Sequence, residues 1–178
     1  DADLPRVYEA LEEIGMATPG AELIRDVVAC PGADTCNLGV TQSRGLAKAI
    51  GADLDANGLA EVGGLRINIS GCPNSCGQHH VADIGFHGVE RRCNDLSAPG
   101  YQMLLGGYVG QEQIHFAQRT MRLPAKSIPA VVSRLVGWFT EEREAGEEFR
   151  DWLDRIGGKT AVKDLVGDLA EFPTPEEN

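Results

Sequence analysis

Apolar and polar positions alternate cleanly in two stretches of the chain. Leu65-Arg66-Ile67-Asn68-Ile69 and the set Ala82, Ile84, Phe86 follow a period of two, which marks strands with one buried face. Residues 23–29 (Leu-Ile-Arg-Asp-Val-Val-Ala) predict a strand running into Cys30, and residues 101–105 predict another that ends at Gly106-Gly107. Helical spacing governs other segments. Asp3-Leu4-Pro5 opens a helix with Asp3 as cap and Pro5 in the first turn; Val7, Leu11 and Ile14 recur on one face, and Gly15 ends it. Asp34 or Thr35 is placed to cap a second helix, but Leu38, Thr41, Gly45 and Lys48 fall in one register and Leu46 with Ile50 in another, so its stripe is weak. Ser127 caps a helix that turns Val131, Val132, Leu135, Val136 and Phe139 to the core. Phe149, Trp152, Leu153 and Ile156 make a shorter helix stopped by Gly157-Gly158, and Thr160 caps a last one with Val162, Leu165, Val166 and Leu169. Trp138 and Trp152 occupy helical core positions. Residues 53–58 read as a polar turn, 71–78 and 91–100 as loops, and 173–178 as a frayed tail. Strands come first and helices later, with no short internal repeat. The expected class is α+β, a mixed or antiparallel sheet with packed helices.

Composition narrows the function classes. The 178 residues are 42% hydrophobic and 24% charged, so a packed core is expected. No apolar run reaches the roughly 20 residues that span a bilayer, and no secretion signal opens the chain, so a cytoplasmic location is expected. The first residue is Asp1, which points to a clipped chain. A net charge of −11 argues against nucleic acid or an anionic membrane as partner. The acidity is uneven: residues 141–178 hold 12 acids against 5 bases, a solvated helical face by default. The 22 glycines indicate turns where backbone must approach something closely.

The cysteines carry the chemistry. Four of the five form two pairs, Cys30-x5-Cys36 and Cys72-x3-Cys76, separated by 35 residues. Each pair follows an expected strand and is packed with turn formers, Pro31-Gly32 in one and Gly71, Pro73-Asn74 and Gly77 in the other. Such loops wrap backbone around an object and aim N–H groups at it. Cys36 is also expected at a helix start, where thiolates are stabilised. Three readings compete. Disulfides fit poorly with an odd cysteine count and no secretion signal. Structural zinc prefers tighter spacings than x5. An iron–sulfur cubane takes four thiolates, is wider than one ion and uses N–H donors around its sulfides, so the spacing favours it.

Cys30-Pro-Gly-Ala-Asp-Thr-Cys36-Asn-Leu-Gly, Gly71-Cys72-Pro-Asn-Ser-Cys76-Gly-Gln and the following Val81-Ala-Asp-Ile-Gly-Phe86 together resemble the sirohaem-containing nitrite and sulfite reductase family. The closing Gly146-Glu-Glu-Phe-Arg-Asp-Trp152 looks like the same family's C-terminal part, and the resemblance runs from Asp1 to about residue 160. It implies that residues 1–20 are the tail of a ferredoxin-like half-domain, 21–160 a 4Fe–4S/sirohaem domain, and 161–178 a C-terminal helix and flexible tail. It places a 4Fe–4S cluster on Cys30, Cys36, Cys72 and Cys76, with Cys76 also the proximal ligand of the sirohaem iron and Asn74 a loop-shaping or cofactor contact. The implied reaction is six-electron reduction of nitrite to ammonia or sulfite to sulfide, with a ferredoxin or flavoprotein as donor. Gln78 and the run 82–86 look more like the nitrite enzymes; sulfite enzymes more often show Gly-Cys-Pro-Asn-Gly-Cys-Gly-Arg. The family's enzymes are much longer and have two similar halves, and the Arg and Lys side chains of the distal pocket lie largely on the earlier one. The chain is therefore expected to be a C-terminal fragment that holds a cluster, binds sirohaem poorly and turns over little. The donor's docking face is expected mostly on the missing half. A cluster- or zinc-binding module without catalysis is the alternative.

Other residues have plainer readings. His79 and His80 are able to contact a porphyrin carboxylate or shuttle protons, but strand-entry residues with ordinary backbone partners are the default. His87 and His115 give weaker signals still. Arg119, Arg122 and Lys126 suit sirohaem carboxylates or a solvated edge. Cys93 is read as a free thiol outside both motifs.

Overall fold

The computed structural model describes residues 2–17, 20–93, 96–110 and 113–174. The side chains of Cys93 and Leu96 lie outside that set, and so does most of the tail expected at 173–178. The helices are α1 (Leu4–Glu13), α2 (Ser43–Ala56), α3 (Ile128–Glu142), α4 (Phe149–Arg155) and α5 (Gly158–Val166). The strands are β1 (Val28–Ala29), β2 (Ile67–Ser70), β3 (Ile84–Cys93), β4 (Leu96–Leu105), β5 (Tyr108–Val109), β6 (Ile114–His115) and β7 (Gln118–Pro124). The main sheet has the order β1-β2-β3-β4-β7. The first three strands are parallel and the rest antiparallel, so the fold is α+β with a mixed sheet.

One face of the sheet carries the core. Ile84, Phe86, Tyr101, Met103, Leu105 and Leu123 pack there with Ile50 and Leu54 of α2 and with Val131, Val132, Leu135, Val136 and Phe139 of α3. Phe149 and Trp152 of α4 close the end, and Val162 and Val166 of α5 join them. Trp152 meets both Phe139 and Trp138 edge-on, at ring separations of 5.2 and 5.1 Å. Helix α1 contributes no buried residue. No described helix is long and apolar enough to cross a membrane.

Several expectations are corrected. The stretch 23–29 forms a ladder only at Val28–Ala29, while Leu23 makes an isolated bridge to Gly63. The second helix begins at Ser43, well after Asp34 and Thr35, because a 3₁₀ turn at Gly32–Asp34 and a closed loop intervene. The same helix runs on to Ala56 through the expected turn at 53–58. Residues 91–93 and 96–100 are not in a loop as expected; they are the outer parts of β3 and β4, which pair antiparallel, and Glu90 accepts hydrogen bonds from Arg92 and Ser97 there. Residues 94 and 95 lie outside the described set. Pro99 is tolerated because β7 pairs only from Gly100 onward. Thr160 lies inside α5, whose start is Gly157 in the left-handed region at φ 102°. Asp3 and Ser127 flank their helices without a side-chain capping bond.

Asp83 of the Val81–Phe86 run ties the sheet together. Its carboxylate accepts from Arg66 N at 2.9 Å, and its carbonyl accepts from Gly106 N at 2.9 Å. Burial, with Glu148 adding repulsion, pushes this carboxyl up to about 6 against the pull of the Arg66 amide and guanidinium. Its folded pKa lies above the ordinary value of 3.8, so the folded state holds the extra proton between these values. Stability therefore falls as pH rises through that window, and the full cost stands above about pH 6. Asp83→Asn keeps an acceptor for Arg66 N and removes the charge. It is expected to raise stability by about 1 kcal/mol at pH 7.5 and by nearly nothing at pH 4, as read by urea unfolding at both pH values.

Candidate functional site

The parallel pairing of β1 and β2 brings the two cysteine loops to one end of the sheet. Val28 pairs with Asn68 and Ala29 with Ile69, so Cys30 leaves β1 beside the point where Gly71-Cys72 leaves β2. The carboxyl ends of adjacent parallel strands are the usual ligand edge of such sheets. Cys30 N donates to Ile69 O at 3.1 Å, which extends the ladder into the first loop.

The loops are laced to each other. In the first, Cys36 N donates to Gly32 O at 3.0 Å and Ala33 N to Thr41 O at 2.9 Å, closing the loop on itself. Val40 N and Thr41 N then both donate to Gly71 O, at 2.8 and 3.1 Å. Gly71 N returns the contact by donating to Cys30 Sγ at 3.2 Å. A Cβ on Gly71 would fall 2.6 Å from Gly32 Cα and 2.8 Å from Thr41 O, so the backbones touch only because no side chain stands between them.

Cys72 is buried, Cys30 half-buried, and Cys36 and Cys76 exposed; all four are free thiols. Cys76 is bracketed by two residues with left-handed backbone, Ser75 at φ 61° and Gln78 at φ 57°. Among the described residues no three His, Cys, Asp or Glu side chains close on a single metal ion. Burial pushes the Cys30 thiol up, but bonds with Ser43, Gly71 and Gly32 and the charge of Arg44 outweigh it, so the thiol sits below its ordinary range. Ser43 Oγ lies 3.4 Å from this sulfur and donates to Cys30 O at 2.6 Å. An N–H aimed at a sulfur, a lowered thiol and a glycine cradle are what an iron–sulfur cluster requires of its holder. The expectation that Cys36 sits at a helix start is corrected, since α2 begins seven residues later at Ser43.

Asn74 lies exposed between Pro73 and Ser75, in the loop between Cys72 and Cys76. Cys93 is carried away from the site by its strand. Ser70 pairs with His87, and Cys93 is six residues further along β3, about 20 Å beyond the end of β2. His80 has a backbone partner as expected, its carbonyl accepting from Ala117 N at 2.7 Å, but the rings of His79 and His80 both meet hydroxyls. His79 Nδ1 meets Ser70 Oγ at 2.8 Å, and His80 Nδ1 meets Ser75 Oγ at 2.9 Å. His79 is fully buried, and burial with the nearby positive groups His80, His87 and Arg119 brings its pKa down to about 3. His87 is also buried and lies 4.9 Å from His79, ring to ring. Arg119 and Arg122 reach this region from β7, paired with Leu104 and Gln102. Ser43, Ser70 and Thr41 are the participants missed in the sequence, where none of them carried a signal; Gly71 was marked there as a turn former of the second loop.

Known proteins give the same answer. The model of the nitrite and sulphite reductase 4Fe-4S domain matches residues 20–170. An assimilatory ferredoxin-dependent nitrite reductase of Haloferax mediterranei is 31% identical over 153 residues, which is 85% of this chain and 26% of that protein. A ferredoxin sulfite reductase of Mycobacterium tuberculosis is 30% identical over 162 residues, 87% of this chain and 29% of the relative. The solved structure of the M. tuberculosis NirA protein superposes with a TM-score of 0.68 at 27% identity, over 91% of this chain and 31% of that one. The chain thus spans between a quarter and a third of the length of these relatives. With that domain model matching residues 20–170, most of its length, the chain belongs to the nitrite and sulphite reductase 4Fe-4S domain family.

Proposed function

We propose that the chain is the cofactor-holding part of a six-electron reductase of nitrite, to ammonia, or of sulfite, to sulfide. The family is one of oxidoreductases carrying a 4Fe–4S cluster and sirohaem. On this reading Cys30, Cys36, Cys72 and Cys76 hold the cluster, and Cys76 is shared with the sirohaem iron. The observation that carries it is the lacing through Gly71, whose N–H meets Cys30 Sγ while its carbonyl receives Val40 and Thr41. When bound, the coupled pair supplies single electrons in sequence to one small anion.

The protein's own contribution is placement. Gly71 N donates to the Cys30 thiolate and favours its charge. Ser43 fixes the Cys30 carbonyl. Cys76, exposed and turned outward between Ser75 and Gln78, is the sulfur free to face a second group. Relatives named for ferredoxin make ferredoxin the proposed donor, with a flavoprotein as the other class; the substrate is nitrite or sulfite, with Gln78 leaning to nitrite.

Anaerobic reconstitution with iron, sulfide and sirohaem tests this. The chain is expected to take up iron and inorganic sulfide in equal amounts. Its 178 residues alone are expected to show weak tetrapyrrole bands and little turnover of either anion with a reduced viologen dye. Uptake of zinc in place of iron, with no sulfide, would overturn the reading.

A further inference from the structure

The two residues that flank Cys76 are each held by a histidine. On one side Gly77 N donates to Ser70 Oγ at 3.1 Å, and that oxygen lies 2.8 Å from His79 Nδ1. The serine oxygen accepts from Gly77 N and shares a second hydrogen bond with His79 Nδ1, so the imidazole holds the hydroxyl that holds Gly77. On the other side Ser75 Oγ lies 2.9 Å from His80 Nδ1, and Ser75 occupies a left-handed conformation that a non-glycine residue adopts only when held.

The two holds are one unit. The rings of His79 and His80 stand 4.1 Å apart and 31° from parallel. Phe116 meets the outer ring edge-on at 6.4 Å, and His87 backs the inner one at 4.9 Å. His79 is fully buried, so the stack is anchored in the interior beside the sheet. The exposed thiol of Cys76 thus sits between two clamped neighbours, while the backbone around it is strained.

We propose that His79 and His80 are positioning residues for Cys76: His79 fixes Gly77 through Ser70, and His80 fixes Ser75 directly. The inference deepens the reading of Cys76 as a shared ligand and rests on it. It differs from a proton shuttle or a porphyrin contact, since neither of those needs the hydroxyls of Ser70 and Ser75.

The test uses the full chain in two states. In the apo chain, His79→Phe and Ser70→Ala are expected to speed amide hydrogen exchange at Gly77 about fivefold or more, with β3 and β4 amides unchanged. His79→Asn, whose side-chain amide reaches the place of Nδ1 with either its oxygen or its nitrogen toward Ser70, is expected to restore most of the protection. In the reconstituted chain, His80→Phe keeps the ring stack and loses Nδ1. It is expected to release iron to a chelator about 10-fold faster, and His80→Asn is expected to reverse most of that. Unchanged exchange and release in the Phe variants would overturn the proposal, as would faster exchange spread evenly over the molecule. Loss of tetrapyrrole bands alone, with exchange and iron release unchanged, would also overturn it in favour of a porphyrin contact. Should the parent chain take up no cluster, the ligand reading fails, and Gly77 exchange still decides the clamp.

Discussion

Cys72→Ser is expected to leave the chain folded and without its cluster. Cys72 is the buried member of the four, one residue past the Gly71 lacing point. Serine is close to it in size but is a poor ligand for iron in this setting, where soft thiolate sulfur is the matched donor. After reconstitution the iron and sulfide content should fall to the level of a chain never exposed to either. Cys36→Ser should lose the cluster equally. Because Cys36 is exposed, its apo form should unfold in urea within about 0.5 kcal/mol of the parent. Cys93→Ser supplies the contrast. It stands about 20 Å along β3 from the end of β2, so its replacement should leave iron and sulfide at parental levels. Full iron content in Cys72→Ser, or its loss in Cys93→Ser, would remove the four-cysteine assignment.

Sequence alone showed the parts of this molecule whose signal is local. Ile67 and Ile69 alternate with Asn68 because their face of β2 meets α2 and the core, but the strand is not half-buried as expected, since Asn68 and Ser70 on its other face are buried too. The stripe from Val131 to Phe139 is legible because α3 buries a single face. The cysteine strings are legible because their spacing and glycines are fixed by what they enclose. The rest depends on contacts between distant segments. Strand β7, Gln118–Pro124, was missed because only Met121 and Leu123 carry its alternation before Pro124, and its place in the sheet comes from pairing with distant β4 across a register shift between Met103 and Leu104. The late start of α2 follows from residues 33–41 being drawn to Gly71, thirty residues on. The hydroxyl partners of His79 and His80 come from folding loop 71–83 back over the sheet, which no spacing within the loop announces.

Gly85→Ala is expected to destabilise the chain strongly, although it adds one methyl group to a strand. Gly85 is the glycine of the Val81–Phe86 run and lies in β3 between Ile84 and Phe86, on the opposite face from both. A Cβ built there falls 1.9 Å from His79 O and 2.9 Å from His79 C. Both are backbone atoms, so no side chain is available to swing aside. Either loop 71–83 lifts from the sheet or β3 is displaced from β2. Overpacking of this kind costs about 1–3 kcal/mol and sometimes more. Here the upper end is expected, or roughly 6–12 °C in Tm for a chain of this size. Lifting the loop also withdraws His79 from Ser70, so cluster retention should fall together with Tm. Gly51→Ala in α2 and Gly137→Ala in α3 are the controls, because nothing lies within 4 Å of either added carbon. There the same substitution should stabilise by about 0.5–1 kcal/mol through the helix interior and leave iron uptake alone. Opposite signs for one chemical change would show that Gly85 is required by the loop passing over it. A Gly85→Ala chain melting at or above the parent would show that His79 does not pass there.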